Sequence, residues 1–153
     1  MPEAKIIREW VTALRSGEYQ QARNTLHRIE ANPGAVDEAQ RTEGMCCLGV
    51  LCDLAVKAGV IPEPGIIGHA AEQNGRYAEY EGDCAFLPET VRYWAGLAEV
   101  APRVNVPTEG IDGVDYESRN LPDLNDLEGY GFDQIADLIE GTWLADSDAG
   151  QPA

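Results

Sequence analysis

The stretch "MCCLGVLCDLAV", Met45–Val56, sets three cysteines within seven residues of an otherwise apolar run. Whether they are ligands, nucleophiles or core decides how the rest of the chain folds. In a helix, Cys47 and Cys52 lie about 140° apart and Cys46 and Cys52 about 120°, whereas helical ligand pairs sit three or four residues apart. A zinc knuckle needs a C-x₂₋₄-C pair and a second pair elsewhere, which Cys84, His27 and His69 do not supply, so no metal site is expected. A catalytic thiol needs a depressed pKa and a base, and closeness to a helix N-terminus is the only such feature of Cys46 and Cys47. Free cysteine packs as a small hydrophobe. With Leu48, Val50, Leu51, Leu54 and Ala55 beside the cysteines, this helix is apolar on nearly every face and belongs at the centre of the fold. Gly49 weakens it by about 1 kcal/mol relative to alanine, which points to another element packed closely there.

The central helix is expected over 42–58, with Thr42 as N-cap, Glu43 in the first turn and Gly59 just past its end. Before it, Ala4 to Arg15 reads as an amphipathic helix with Ile7, Trp10, Val11 and Leu14 inward and Lys5, Arg8, Glu9 and Thr12 outward, ended by Gly17. Residues 18–30 allow a second helix or a short strand, and "ANPGAVDEAQRTEG" is a loop. After it, "VIPEPGIIG" is broken by prolines, and "GRYAEYEGDCAFL" resembles a small hairpin turning at Glu81-Gly82-Asp83. "LPETVRYWAGLA" is a helix started by Pro88, burying Val91, Trp94, Ala95 and Leu97. Within the turn-rich segment 99–121, "RVNV" and "GVDY" are short strands around "PTEGIDG". "YGFDQIADLIEGTWLAD" is a helix with a stripe of Phe132, Ile135, Leu138, Ile139 and Trp143, and 147–153 is a frayed tail. The pattern predicts one α+β domain over 1–153, mainly helical, with a small sheet of short strands. At 153 residues such a chain buries roughly 70% of its unfolded surface without needing disulfides or a metal.

Charge is the outlier. The net charge is −16, with −1 over residues 1–60 and −15 over 61–153; between Glu109 and Asp148 twelve acids face Arg119 as the only base. Direct nucleic-acid binding and adhesion to anionic membranes are thereby disfavoured, since both rest on Lys and Arg. No 18-residue apolar segment and no basic, apolar leader occurs in the sequence, which points to a cytoplasmic setting. A calcium loop placing Asp126, Glu128, Gly131 and Asp137 at positions 1, 3, 6 and 12 is degenerate, with Tyr130 at position 5 and Asp133 at position 8. Clustered carboxylates could serve a small hydrolase. A compact acidic face could instead mimic the phosphates of a duplex.

Four blocks, "ALRSGEYQQ" (13–21), "CCLGVLCDLA" (46–55), "LPETVRYWAGL" (87–97) and "LPDLNDLEGYGFDQIADLIE" (121–140), together resemble a family of small proteins of unassigned activity. The family is encoded by tailed bacteriophages and is frequent among those of actinobacteria. The connection between Leu26 and the cysteine block is longer here than is typical of that family. The resemblance implies an accessory protein in the host cytoplasm that binds a host protein or a small ligand, as an antagonist of a host factor or defence. It implies no cofactor.

Apolar positions in these blocks are accounted for by packing, so the polar ones, Arg15, Ser16, Tyr19, Gln21, Asn125 and Asp126, are the candidate ligand- or partner-binding residues. Arg15 can bond the last carbonyls of its helix, and Asn125 or Asp126 can shape the turn before the final helix. In the functional reading they form a polar pocket edge between the first and last helices, with Arg15 anchoring a small anionic ligand. No catalytic or metal-ligating residue is expected, and oligomeric state is not legible.

Overall fold

The computed structural model describes residues 2–22, 26–28, 44–67, 77–83, 85–110 and 113–144. Its elements run α1 (Ala4–Arg15), β1 (His27–Arg28), β2 (Gly44–Met45), α2 (Cys47–Lys57), β3 (Gly65–Ile67), β4 (Tyr77–Glu79), α3 (Glu89–Ala95), β5 (Arg103–Gly110), β6 (Gly113–Asn120), α4 (Leu121–Asp126), α5 (Phe132–Ile139) and a π-helical turn, Glu140–Leu144. This is an α+β fold. One antiparallel sheet has the order β2-β1-β4-β3, and β5 and β6 form a separate antiparallel ribbon.

The apolar run of α2 lies at the centre, with Cys47, Leu48, Gly49, Val50, Leu51, Cys52 and Ala55 buried, and it packs on α1, α3, α4 and β2. Burial pushes the Cys46 thiol up to about 12 and raises those of Cys47 and Cys52 as well. These thiols are held as core hydrophobes rather than primed as nucleophiles. Gly49 has the tight neighbour its position implied: a Cβ built there would stand 1.8 Å from the Leu26 carbonyl oxygen and 3.1 Å from Met45 Cβ. The strand segment ending at β1 therefore crosses directly over α2, and the same Leu26 oxygen accepts the Cys46 amide at 3.2 Å.

Helix α1 has the expected bounds and buries Ile7, Trp10, Val11 and Leu14. It ends at Gly17, whose φ of +77° is left-handed and suits a residue without Cβ. The Trp10 indole N–H donates to the Cys47 carbonyl at 2.8 Å, pinning α1 to α2. On its other side Trp10 stacks on Trp143, with ring centroids 6.3 Å apart. The π-helical turn is thus held against α1 by an aromatic pair.

Several expectations are corrected. The central helix begins at Cys47 rather than at 42, because Gly44–Met45 is drawn into extended pairing. Met45 N–H donates to Gln20 O (2.8 Å) and its carbonyl accepts from Ala22 N–H (2.9 Å), which fixes the backbone outside helical geometry until Cys46. Thr42 and Glu43 lie outside the described residues, as do most of the predicted loop and the tail. Of the two possibilities for 18–30, the described part holds the short strand β1. The turn at Glu81-Gly82 exists, with both residues at positive φ and Tyr80 and Asp83 exchanging backbone bonds. Beyond that bridge, however, β4 pairs with β3 and β1 rather than with a returning arm. The two short strands expected in 99–121 are one long hairpin in which "PTEG" continues β5. The final helix ends at Ile139 and changes to the π-helical turn.

Candidate functional site

Three polar assemblies contain the candidate residues. The first is centred on Asn125, the one buried polar side chain among the described residues. Its Oδ1 accepts from Gln21 Nε2 (2.8 Å) and from the Cys47 amide (3.3 Å), while its Nδ2 donates to Ala22 O (2.8 Å) and Asp126 Oδ1 (2.7 Å). Gln21 Nε2 also donates to Tyr130 O at 2.7 Å. The first-turn amide of α2 needs an acceptor, and Cys46 at the N-cap makes no side-chain cap. Asn125, remote in sequence, provides it. Helix α4 holds Asn125 in place, itself capped by Asn120, which accepts from the Asp123 amide at 2.8 Å. This assembly is a structural clasp joining α2, α4 and the 20–22 segment.

The second assembly ties α1 to the end of α5. Arg15 donates to Asp137 Oδ1 (2.5 Å) and Glu140 Oε2 (3.0 Å), and these bonds, that to Glu140 foremost, raise the guanidinium pKa. Arg15 does lie between the first and last helices, but its fork is engaged by two carboxylates of the chain itself rather than presented to a ligand. Ser16 closes its helix by donating to Ala13 O (2.6 Å) and accepting from the Glu18 amide (3.1 Å).

The third assembly borders a surface cleft. The Tyr19 hydroxyl donates to Asp53 Oδ2 and accepts from Lys57 Nζ at 3.0 Å. Lys57 also pairs with Asp53 at 3.0 Å and sits 5.3 Å from the Tyr19 ring centroid. Burial first, then the bond to Asp53, raises the Tyr19 pKa, so the phenol keeps its proton. Lys57 is raised in turn by its bonds to Tyr19 and Asp53 and stays cationic.

This triad closes one end of an open cleft of about 490 Å³ between α1 and α2, lined by Lys5, Arg8, Thr12, Ser16, Tyr19 and Lys57 among others. That volume suits a small ligand. Three of the chain's eleven Lys and Arg residues meet here, against Glu9 and Glu18 on the same lining. A larger hollow of about 870 Å³, between the start of α1 and α3, offers mostly apolar walls including Ile6, Tyr93 and Trp94. Its Arg92 is engaged by Glu89 and by Leu97 O (2.8 Å).

Of the six sequence candidates, the structure brings Gln21, Asn125 and Asp126 into the clasp, Arg15 to an ion pair, and Ser16 and Tyr19 to the cleft. Lys5, Arg8, Asp53 and Lys57 were not singled out by sequence reasoning. The available signal was the scarcity of basic residues, with Lys5 and Arg8 one helical turn apart on the outward face of α1. Among the described residues no group of three His, Cys, Asp or Glu side chains is placed to hold a metal ion, and no helix is long and apolar enough to cross a membrane.

The family model described as a domain of unknown function (DUF8296) matches residues 2–143. No curated protein and no solved structure matches the chain.

Proposed function

The chain belongs to the DUF8296 family, and from the geometry of the α1–α2 cleft we propose that it works by non-catalytic binding. A small anionic ligand, or an acidic side-chain cluster of a partner protein, seats against Lys5, Arg8 and Lys57. The observation that carries this reading is the gathering of Lys5, Arg8 and Lys57, the last already paired with Asp53, beside Glu9 and Glu18 in one concave site on a molecule of net charge −16. At physiological salt the field of the distant acids is largely screened beyond about 8 Å, so a compact anion responds to the cations that line the cleft. Thr12 adds a hydroxyl that can donate to it. The resemblance to phage accessory proteins supports a setting in a host cytoplasm, where occupying a host factor or withholding a small ligand requires no covalent chemistry.

Binding is favoured over hydrolysis by the engagement of the carboxylates that touch the sequence candidates and the Tyr19–Lys57 pair. Asp53 is bonded to Tyr19 and Lys57, Asp137 and Glu140 to Arg15, and Asp126 to Asn125. Amide NMR titration with inorganic phosphate and with a triglutamate peptide tests the proposal. Saturable shifts confined to Thr12, Ala13, Leu54 and Lys57 are expected with at least one probe, and Lys5→Glu with Arg8→Gln should weaken binding at least tenfold. Shifts that fail to saturate, or that cluster elsewhere, defeat it.

A further inference from the structure

The β5–β6 ribbon has two unlike edges. In an antiparallel pair, alternate residues point both their N–H and C=O away from the partner strand, and two contacts and the register set which residues do so here. The Asn105 amide donates to Thr142 Oγ1 at 2.9 Å, so Asn105 points away from β6. Its register partner Ser118 therefore points away from β5. The Leu121 amide donates to Pro102 O at 2.8 Å, which gives the same parity. The outward residues are Asn105, Pro107 and Glu109 on β5, and Val114, Tyr116 and Ser118 on β6.

On β5 this edge is blocked. The Asn105 amide is taken by Thr142 of the π-helical turn, and Pro107 has no amide to offer. On β6 every residue from Gly113 to Ser118 is exposed, and among the described residues the sole partner on its outer side is Arg103, whose Nη2 donates to Ser118 O at 2.9 Å. The N–H and C=O groups of Val114 and Tyr116 and the N–H of Ser118 face outward. An edge left unblocked by the described residues over this length is a template for strand addition.

The two faces of β6 differ as well. Val114 and Tyr116, 64% and 66% exposed, share one face with Pro107, while Asp115 and Glu117 share the other. Arg119 is paired at 2.7 Å with Glu128 and reaches Glu117 at 3.9 Å. A strand docked here meets Val114 and Tyr116 on one face, with Glu109 beside Val114, and on the other Asp115 and Glu117, of which Glu117 is only loosely paired with Arg119. A second copy of this chain brings the same carboxylates and a further charge of −16, so like charges oppose self-pairing.

We propose that β6 takes up an extended segment of a partner protein in which basic and apolar residues alternate, converting the ribbon into a three-stranded sheet. Basic side chains lie beside Asp115 and Glu117, and apolar ones beside Val114 and Tyr116.

The test is a titration of the full chain with a peptide of alternating Lys and Val, and with the same peptide carrying Glu for Lys, read by NMR amide exchange. The Lys-Val peptide should bind saturably and slow exchange at Val114, Tyr116 and Ser118 at least tenfold. Exchange at Asp115 and Glu117, which point into the existing ladder, should change little. The Glu peptide and the Asp115→Lys, Glu117→Lys double variant should each bind at least tenfold more weakly. Tyr116→Pro removes an outward amide and should abolish binding, with persistent slow exchange at Asp115 and Glu117 showing the hairpin intact. Equal affinity for both peptides, unchanged exchange at the three outward amides, or dimerisation of the chain through this edge in sedimentation would overturn the proposal.

Discussion

Two single residues hold the centre of the fold by opposite means, one by lacking atoms and one by supplying them. Gly49 leaves room for the Leu26 carbonyl, and a methyl group there has nowhere to go because the obstructing atom is a backbone oxygen, with Met45 Cβ close by. Gly49→Ala should cost about 3 kcal/mol, the upper end for overpacking, despite the better helix propensity of alanine; its urea midpoint measures this. Asn125 supplies the missing cap of α2 through space. Asn125→Ala strands the buried Cys47 amide and the half-buried Ala22 carbonyl and leaves Gln21 only its bond to Tyr130 O, and a loss of about 2–4 kcal/mol follows from 1–3 kcal/mol for each group that finds no water. The need for Gly49 was legible because a glycine inside an apolar helix is costly unless something approaches it. The partner was not, since Leu26 lies far away in sequence.

Among the elements, the amphipathic helix α1 was the easiest to read, because its stripe follows the 3.6-residue period over its whole length. The start of α2 was misread for a physical reason. Helix propensity is a weak local preference, and the pairing of Met45 with the 20–22 segment overrides it. The π-helical turn and the clasp that joins α4 to α2 arise from contacts that span most of the chain. At this scale Arg15 serves to join α1 to α5, and as a half-exposed ion pair it contributes about 1 kcal/mol or less. Arg15→Gln should therefore lower stability only slightly and leave phosphate or triglutamate affinity in the α1–α2 cleft unchanged within twofold. A large loss of affinity, measured by the same amide titration, would return Arg15 to the role of anion anchor.

For the whole molecule, the buried titratable groups set the response to alkali. Burial raises Cys46 from 9.0 to about 12 and raises Cys47, Cys52 and Tyr80 in the same direction. Above about pH 9 the unfolded chain sheds thiol protons that the folded chain retains, so the folded state binds more protons and stability falls as pH rises. This contribution is complete below the unfolded pKa and is lost between about pH 9 and 12, by at most ~1.4 kcal/mol per pH unit for each thiol. Urea midpoints should stay level from neutral pH to about pH 8 and then decline, and Cys52→Ala should make the decline shallower. The same thiols should react slowly with a thiol reagent in the native state and rapidly in denaturant; fast native labelling of two or more would contradict their burial. By itself the sequence determined the α+β class, the stripe of α1, the burial of the cysteine helix and the separation of charge along the chain, because periodicity, apolar content and net charge are local sums. Only the tertiary structure decided where α2 starts, that Asn125 caps it, that Arg15 is paired internally, that Lys5, Arg8 and Lys57 line one cleft, and that no described residue beyond Arg103 takes up the outer edge of β6. Each of these depends on which distant backbone and side-chain groups satisfy one another once the chain is compact, and that pairing is not a property of any one segment.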